Sequence, residues 1–304
     1  MKRFIKKTLI FILFVISLKM LLITLVLSNL PKVGYGYFLG ENNKTNKIVI
    51  VGSSNVKFNF DYDLLNMNFN NHSVIGVSFP ETNGLYVLWH KLKKLNLTEN
   101  DIVVFALPYS LYNENRFLPI TGKEKGVSLN LIKSSFNDFK KETFMSLLNI
   151  KFSNIKNVLK TRELQTIRFT TYENKFFGDT KKIDSLYLNC YSNEEDKFFI
   201  NDNKSVFNSK SILKFNDILN KKNNPEFFFR FPALMENQFE LNKSKILFLE
   251  KNLNFINSVE SAIFERNYFY DQWYHLNFCG AQQNSLNLIE EITPFIKNKN
   301  LTKP

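Results

Sequence analysis

Ile48-Val49-Ile50-Val51-Gly52-Ser53-Ser54-Asn55 is the stretch that decides how the chain is read. Four consecutive β-branched apolar residues between Lys47 and Gly52 predict a strand buried on both faces of a parallel sheet. A turn of small residues follows, at the strand's carboxyl end, which is where open α/β sheets bind ligands. Gly52 permits a tight turn, and Ser53 and Ser54 can present a hydroxyl and backbone N–H groups there. Two readings of Ser54 stand side by side: a cap on the next helix, since Ser is a favoured N-cap, or a nucleophile.

Outward from this strand the pattern repeats. Residues 61–69 predict a short helix capped by Asp61, and Val74-Ile75-Gly76-Val77 a second apolar strand. Leu85, Leu88, Trp89, Leu92 and Leu95 fall at helical spacing, with His90 and three lysines off the stripe. Asp101 introduces a third strand over 102–107, ending at Pro108-Tyr109-Ser110. Strand–turn–helix units in succession argue for a parallel α/β sheet. The rhythm lapses over about 116–222, where 129–159 reads as mainly helical; this predicts an insertion or cap on the sheet. It returns with a strand at 226–231 (EFFFRF) and a helix across 241–254. A short strand over 261–264 follows, then a loop holding Asp271 and His275, with Gly280 opening a last helix over 281–292.

Before residue 32 the chain reads differently. Lys2, Arg3, Lys6 and Lys7 precede an apolar run over 9–27, interrupted by Lys19 and closed by Pro31. That run approaches the roughly 20 residues that span a bilayer. Lys19 costs about 2.5–3.5 kcal/mol near the midplane unless it snorkels or meets a protein partner. A cleaved signal peptide with its core at 9–18 is the rival, but no Ala-x-Ala-like site follows, so residues 1–31 are read as an uncleaved signal anchor. The one-sided basic cluster keeps the amino end in the cytoplasm. The expectation is a single-pass protein of a bacterial cytoplasmic membrane, its carboxyl-terminal domain periplasmic or extracellular. Residues 32–46 read as a linker, 47–296 as the domain and 297–304 as a tail.

The 304 residues carry a formal charge of +12. Without Lys2, Arg3, Lys6, Lys7 and Lys19, 35 basic residues face 28 acidic ones, a net +7 spread along the chain. No nucleic-acid motif or Arg stripe accompanies it, so nucleic acid is excluded as a partner. An anionic surface polymer or lipid headgroup suits such a charge. Cys190 and Cys279 are the two cysteines. They form no metal-ligand pattern, and their spacing alone does not declare a disulfide. No metal or cofactor is expected.

A serine nucleophile needs a general base, usually histidine. The chain has three histidines. His72 precedes the second strand and so belongs to the opposite edge of the sheet. His90 lies among lysines on the solvent side of a helix. His275 follows the last sheet element and precedes a helix, at the same edge as Ser54. Elimination favours His275, with Asp271 four residues earlier able to orient it. The alternative for this pair is a loop network capping the last helix.

Gly52-Ser53-Ser54, Gly76 in the second strand, and Asp271…His275-Leu276-Asn277 before a final helix together resemble the SGNH (GDSL-like) hydrolase superfamily. The likeness is to membrane-anchored bacterial members with Gly-Ser-Ser in place of Gly-Asp-Ser, similar to D-alanine transfer proteins and to proteins encoded with surface-polysaccharide genes. It covers roughly 47–115 and 225–296. The resemblance implies a flavodoxin-like three-layer α/β sandwich with a parallel sheet, a mainly helical insertion and an amino-terminal membrane helix. It implies Ser54 as nucleophile, His275 as base and Asp271 as third member, with the N–H groups of Ser54 and Gly76 in the oxyanion hole. Two departures stand out. The family's oxyanion-hole Asn has no counterpart in the third turn, ALPYSLYNEN, where Tyr109 and Ser110 stand nearest and Asn113 or Asn115 reaches only if the loop folds back. The Asp-to-His spacing is four rather than three.

The implied activity is an acyl esterase or O-acyltransferase that moves an acyl group, acetyl above all, on a bacterial surface glycan or lipid-linked polymer through an acyl-serine. Its partners are the membrane and a membrane-bound protein that exports the acyl group. Two readings of other classes compete: a catalytically silent SGNH scaffold that binds polysaccharide or an assembly partner, and an unrelated anchored α/β receptor whose Gly-Ser-Ser turn binds an anion.

Overall fold

The computed structural model describes residues 1–28, 37–39, 44–78, 85, 88, 89, 92, 95–112, 190, 209–221, 225–269 and 274–301. The chain divides into two compact units. To the smaller belong the first helix, α1 (Lys2–Ser28), and Leu85, Leu88 and Trp89; everything else below lies in the larger. Along α1, Phe4, Leu9, Phe11, Phe14 and Leu18 are exposed. Counted over the described residues alone, no helix is long and apolar enough to cross a membrane.

The larger unit is built on a mostly parallel sheet. Its strands are β1 (Tyr37–Leu39), β2 (Asn46–Gly52), β3 (His72–Ser78), β4 (Ile102–Ala106) and β5 (Glu226–Phe229), in the order β1-β3-β2-β4-β5. The four strands expected from sequence pair in parallel, and β1 adds an antiparallel edge strand. β1 lies in the stretch read as a linker, whose Gly and Asn content gave no strand period. The register sets the carboxyl ends of the central strands level: Gly52 stands opposite Ser78 on one side and Ala106 on the other.

The even-numbered face of β2 and β4 (Ile48, Ile50, Ile102, Val104, Ala106) packs against three helices: α2 (Ser54–Phe58), α3 (Tyr62–Asn68) and the last helix, numbered α6 below. On the other face the Phe105 ring meets Phe215 edge-on at 5.4 Å, from α4 (Lys210–Asn220). A sheet sandwiched in this way leaves no solvated face, which is why Ile48, Val49, Ile50 and Val51 are all fully buried. The architecture is an α/β fold.

Beyond β5, a second sheet of two short strands pairs β6 (Leu234–Met235) in parallel with β7 (Ile263–Phe264). The expected strand over 261–264 is thus its last two residues, preceded by a 3-10 turn. α5 (Glu236–Asn252) begins five residues ahead of the predicted start. α6 (Phe278–Leu301) runs through Pro294 and well into the predicted tail. A proline inside a helix removes a backbone hydrogen bond. Here the continuation packs the partly buried Phe295 and Ile296 against the core, with the Phe295 ring 4.5 Å from Phe228. Asp61 caps α3 as predicted, accepting from the N–H groups of Asp63 and Leu64. His72 opens β3 opposite Asn46, at the amino edge of the sheet. His90 and the expected helical span 129–159 lie outside the described residues.

Candidate functional site

The turn after β2 is fastened to both neighbouring strands. Ser53 is the residue before α2, and its N–H and hydroxyl both donate to Asn55 Oδ1, at 2.9 and 3.0 Å. Asn55 Nδ2 donates to the Ala106 carbonyl at the end of β4, at 2.7 Å. From the other side, Ser78 at the end of β3 donates its hydroxyl to the Ser53 carbonyl, at 2.7 Å. Gly52 is required by closeness: a Cβ there would come 2.5 Å from the Ala106 carbonyl oxygen. Ser54 is the first residue of α2, and its hydroxyl is turned to a different task from capping.

Ser54 Oγ lies 2.8 Å from His275 Nε2, across 221 positions of sequence. With the ring proton on Nδ1, Nε2 accepts the serine hydroxyl's hydrogen. His275 is 5% exposed, and its ring meets two aromatic rings, Phe58 and Tyr274, each with its centroid 4.4 Å away. Its backbone is held from both directions. Leu276 is buried in a small cluster with Phe264 and Phe269, and it bridges to Phe269. Asn277 accepts from the Gly280 N–H at 3.0 Å, capping α6, so the capping role falls to Asn277 and leaves the His275 ring to Ser54. Gly280 leaves room for the Tyr268 carbonyl, which a Cβ would approach to 2.8 Å.

Asn59 is a residue that spacing did not single out. Its side chain accepts from the Leu276 N–H at 2.8 Å and donates to the Tyr274 carbonyl at 3.0 Å. Behind it, Asn284 donates to the Asn59 carbonyl at 2.7 Å, and Arg230 Nη1 donates to Asn284 Oδ1 at 2.9 Å. Arg230 is fully buried and forks onto Glu291, with Nε and Nη2 at 2.6 and 3.2 Å. A charge so far from water persists only when paired and bonded in this way.

The remaining sequence-predicted residues divide. Gly76 stands inside β3, two residues before the carboxyl end, opposite Ile50 on one side and Leu39 on the other. The missing side chain has a packing cause, because a Cβ would collide with the Tyr62 hydroxyl, which itself donates to the Val56 carbonyl. Asp271 and Asn113 lie outside the described residues. At the end of β4, Tyr109 and Tyr112 are buried, and among the described residues their hydroxyls have no hydrogen-bond partner. Burial pushes both phenols well above their ordinary ionisation range, Tyr109 also through Tyr112 beside it. Burial also lowers Lys57, whose ammonium lies 5.3 Å from the Phe58 ring centroid.

Cys190 is joined to Cys279 in a disulfide that ties it to the first turn of α6, four residues from His275. Among the described residues no group of three His, Cys, Asp or Glu side chains could hold a metal ion. No family model, curated protein or solved structure matches the chain.

Proposed function

We propose that the chain is a membrane-anchored, extracytoplasmic acyl esterase or O-acyltransferase of SGNH type, acting on O-acyl groups of a bacterial surface polysaccharide. The observation that carries this reading is the 2.8 Å contact between Ser54 Oγ and His275 Nε2 at the sheet's carboxyl edge. Serine is a weak nucleophile unless a base takes its proton. In the proposed reaction Ser54 Oγ attacks the acyl carbonyl as its proton passes to His275 Nε2. The bond from the acyl carbon to its original oxygen then breaks, and His275 returns the proton to that oxygen. An acceptor hydroxyl next gives its proton to His275 and attacks the acyl-serine, restoring the Ser54 hydroxyl. Water as acceptor makes the same cycle a hydrolysis. Acetyl is the proposed acyl group. Asp271 is the proposed orienter of His275, and the Ser54 N–H the proposed oxyanion donor, with Asn113 as a second if its loop reaches.

Two observations support the setting. A disulfide belongs to oxidising compartments, which fits a domain outside the cytoplasm. Apolar side chains exposed along α1 fit a helix whose solvent is lipid. An anchor keeps the site beside membrane-borne donors and acceptors, raising effective concentration without new contacts. The silent-scaffold reading gives no reason for a serine hydroxyl and an imidazole to meet.

Surface-glycan acylation in cells carrying wild type, Ser54→Ala or His275→Ala at matched levels tests the reading. Acylation should change in both variants; unchanged acylation in both would reject it. A reporter active only outside the cytoplasm, fused after residue 40, should give signal, and a silent fusion would reject the topology.

A further inference from the structure

We propose that Asn59 is the positioning residue of the base, setting through its side-chain amide where the His275 ring stands. This rests on the serine–histidine reading above and deepens it. Asn59 bonds the two peptide groups on either side of His275, one as acceptor and one as donor. Two bonds to one segment fix its rotation as well as its distance, which a single bond cannot do. Asn59 also ends the helix that Ser54 begins, its N–H donating to the Asn55 carbonyl at 2.8 Å. Nucleophile and clamp are therefore opposite ends of one short helical turn. The covalent path from Ser54 to Asn59, the two bonds to the 274–276 backbone and the imidazole contact close into a ring of fixed size. The clamp cannot drift, because Asn59 is 1% exposed and Asn284, Arg230 and Glu291 hold it from behind. Of the residues of this length, only asparagine both donates and accepts in one plane: an aspartate keeps the acceptor and loses the donor.

The test uses the full chain in detergent, in wild type, Asn59→Ala and Asn59→Asp, each checked for folding by circular dichroism. The rate of Ser54 labelling by a fluorophosphonate should fall about 10- to 100-fold in Asn59→Ala, the scale of a misplaced catalytic group, with Asn59→Asp between. A second readout does not depend on activity. The His275 ring-nitrogen signals, assigned with His275→Ala, should shift in wild type when Ser54→Ala removes the hydroxyl. In an Asn59→Ala background the same substitution should add no shift, because the ring has already left the serine. Folded Asn59 variants that label at the wild-type rate and keep the wild-type ring signals would overturn the proposal. If wild type labels no faster than Ser54→Ala, the serine chemistry fails, while the ring signals still judge the clamp. If Asn59→Ala does not fold, Asn59→Asp decides by the same two readouts.

Discussion

The two banks of the Ser54 turn are built on opposite terms. On the side of His275 a chain of hydrogen bonds runs from Glu291 through Arg230 and Asn284 to Asn59, although Asn267 Oδ1 nearby is buried with no partner among the described residues. At the end of β4, the adjacent strand, two tyrosine hydroxyls are buried without partners among the described residues. A buried donor without an acceptor costs about 1–3 kcal/mol, whereas a satisfied network rigidifies what it touches. The continuous chain of bonds ends on the backbone that carries His275. The other bank carries a stability cost.

The comparison can be broken from either bank. The largest effect should come from Arg230→Ala, which strips Glu291 and Asn284 of their buried partner. Removing one member of a buried pair costs about 3–5 kcal/mol, read as a lower midpoint in urea at unchanged slope. A loss under about 1 kcal/mol would mean that the chain behind Asn59 is ornamental. Next, Asn284→Ala should cost about 2 kcal/mol by orphaning the Asn59 carbonyl and the Arg230 Nη1 donor. Tyr112→Phe should do the reverse, leaving stability unchanged or raising it by up to about 1 kcal/mol, because it removes a hydroxyl that has no partner among the described residues. A clear loss in that variant would erase the contrast between the banks.

The smallest effect is a pH dependence. Burial raises the folded-state pKa of Tyr62, Tyr109 and Tyr112 above the ordinary value of 10.0. Folded chains hold these protons more tightly, so their contribution to stability is complete below about pH 10 and lost as pH rises beyond it. The melting temperature should therefore fall above pH 10, and less steeply in Tyr112→Phe. An equal slope in both would deny Tyr112 its share.

How much of this was legible in the sequence depends on which force places each residue. The central strands declared themselves because burial on both faces demands unbroken apolar runs such as Ile48-Val49-Ile50-Val51. Ser54 and His275 were found because a parallel sheet sends successive turns to one edge. β1 was missed because three residues, Tyr37–Leu39, pair with β3 from within a Gly- and Asn-containing stretch. The last helix outran its expected end at 292 because Phe295, past Pro294, packs against Phe228. The packing reason for Gly76 was not legible, because a glycine that makes room for Tyr62 looks the same in sequence as any other. Asn59 left no local signal at all. Its side-chain partners lie more than 200 positions away, and in so Asn-rich a chain one more asparagine stands out by nothing but its contacts. The Cys190–Cys279 link was equally silent, since spacing does not pair cysteines.

The most direct measurement is the rate at which a fluorophosphonate labels Ser54 in wild type and in His275→Ala, with peptide mapping to locate the adduct. General-base assistance contributes about 10²–10⁴-fold. Labelling confined to Ser54 and at least about 10²-fold slower in folded His275→Ala is the result expected of a serine activated by this histidine. Equal rates in the two proteins, or an adduct on another residue, would contradict it.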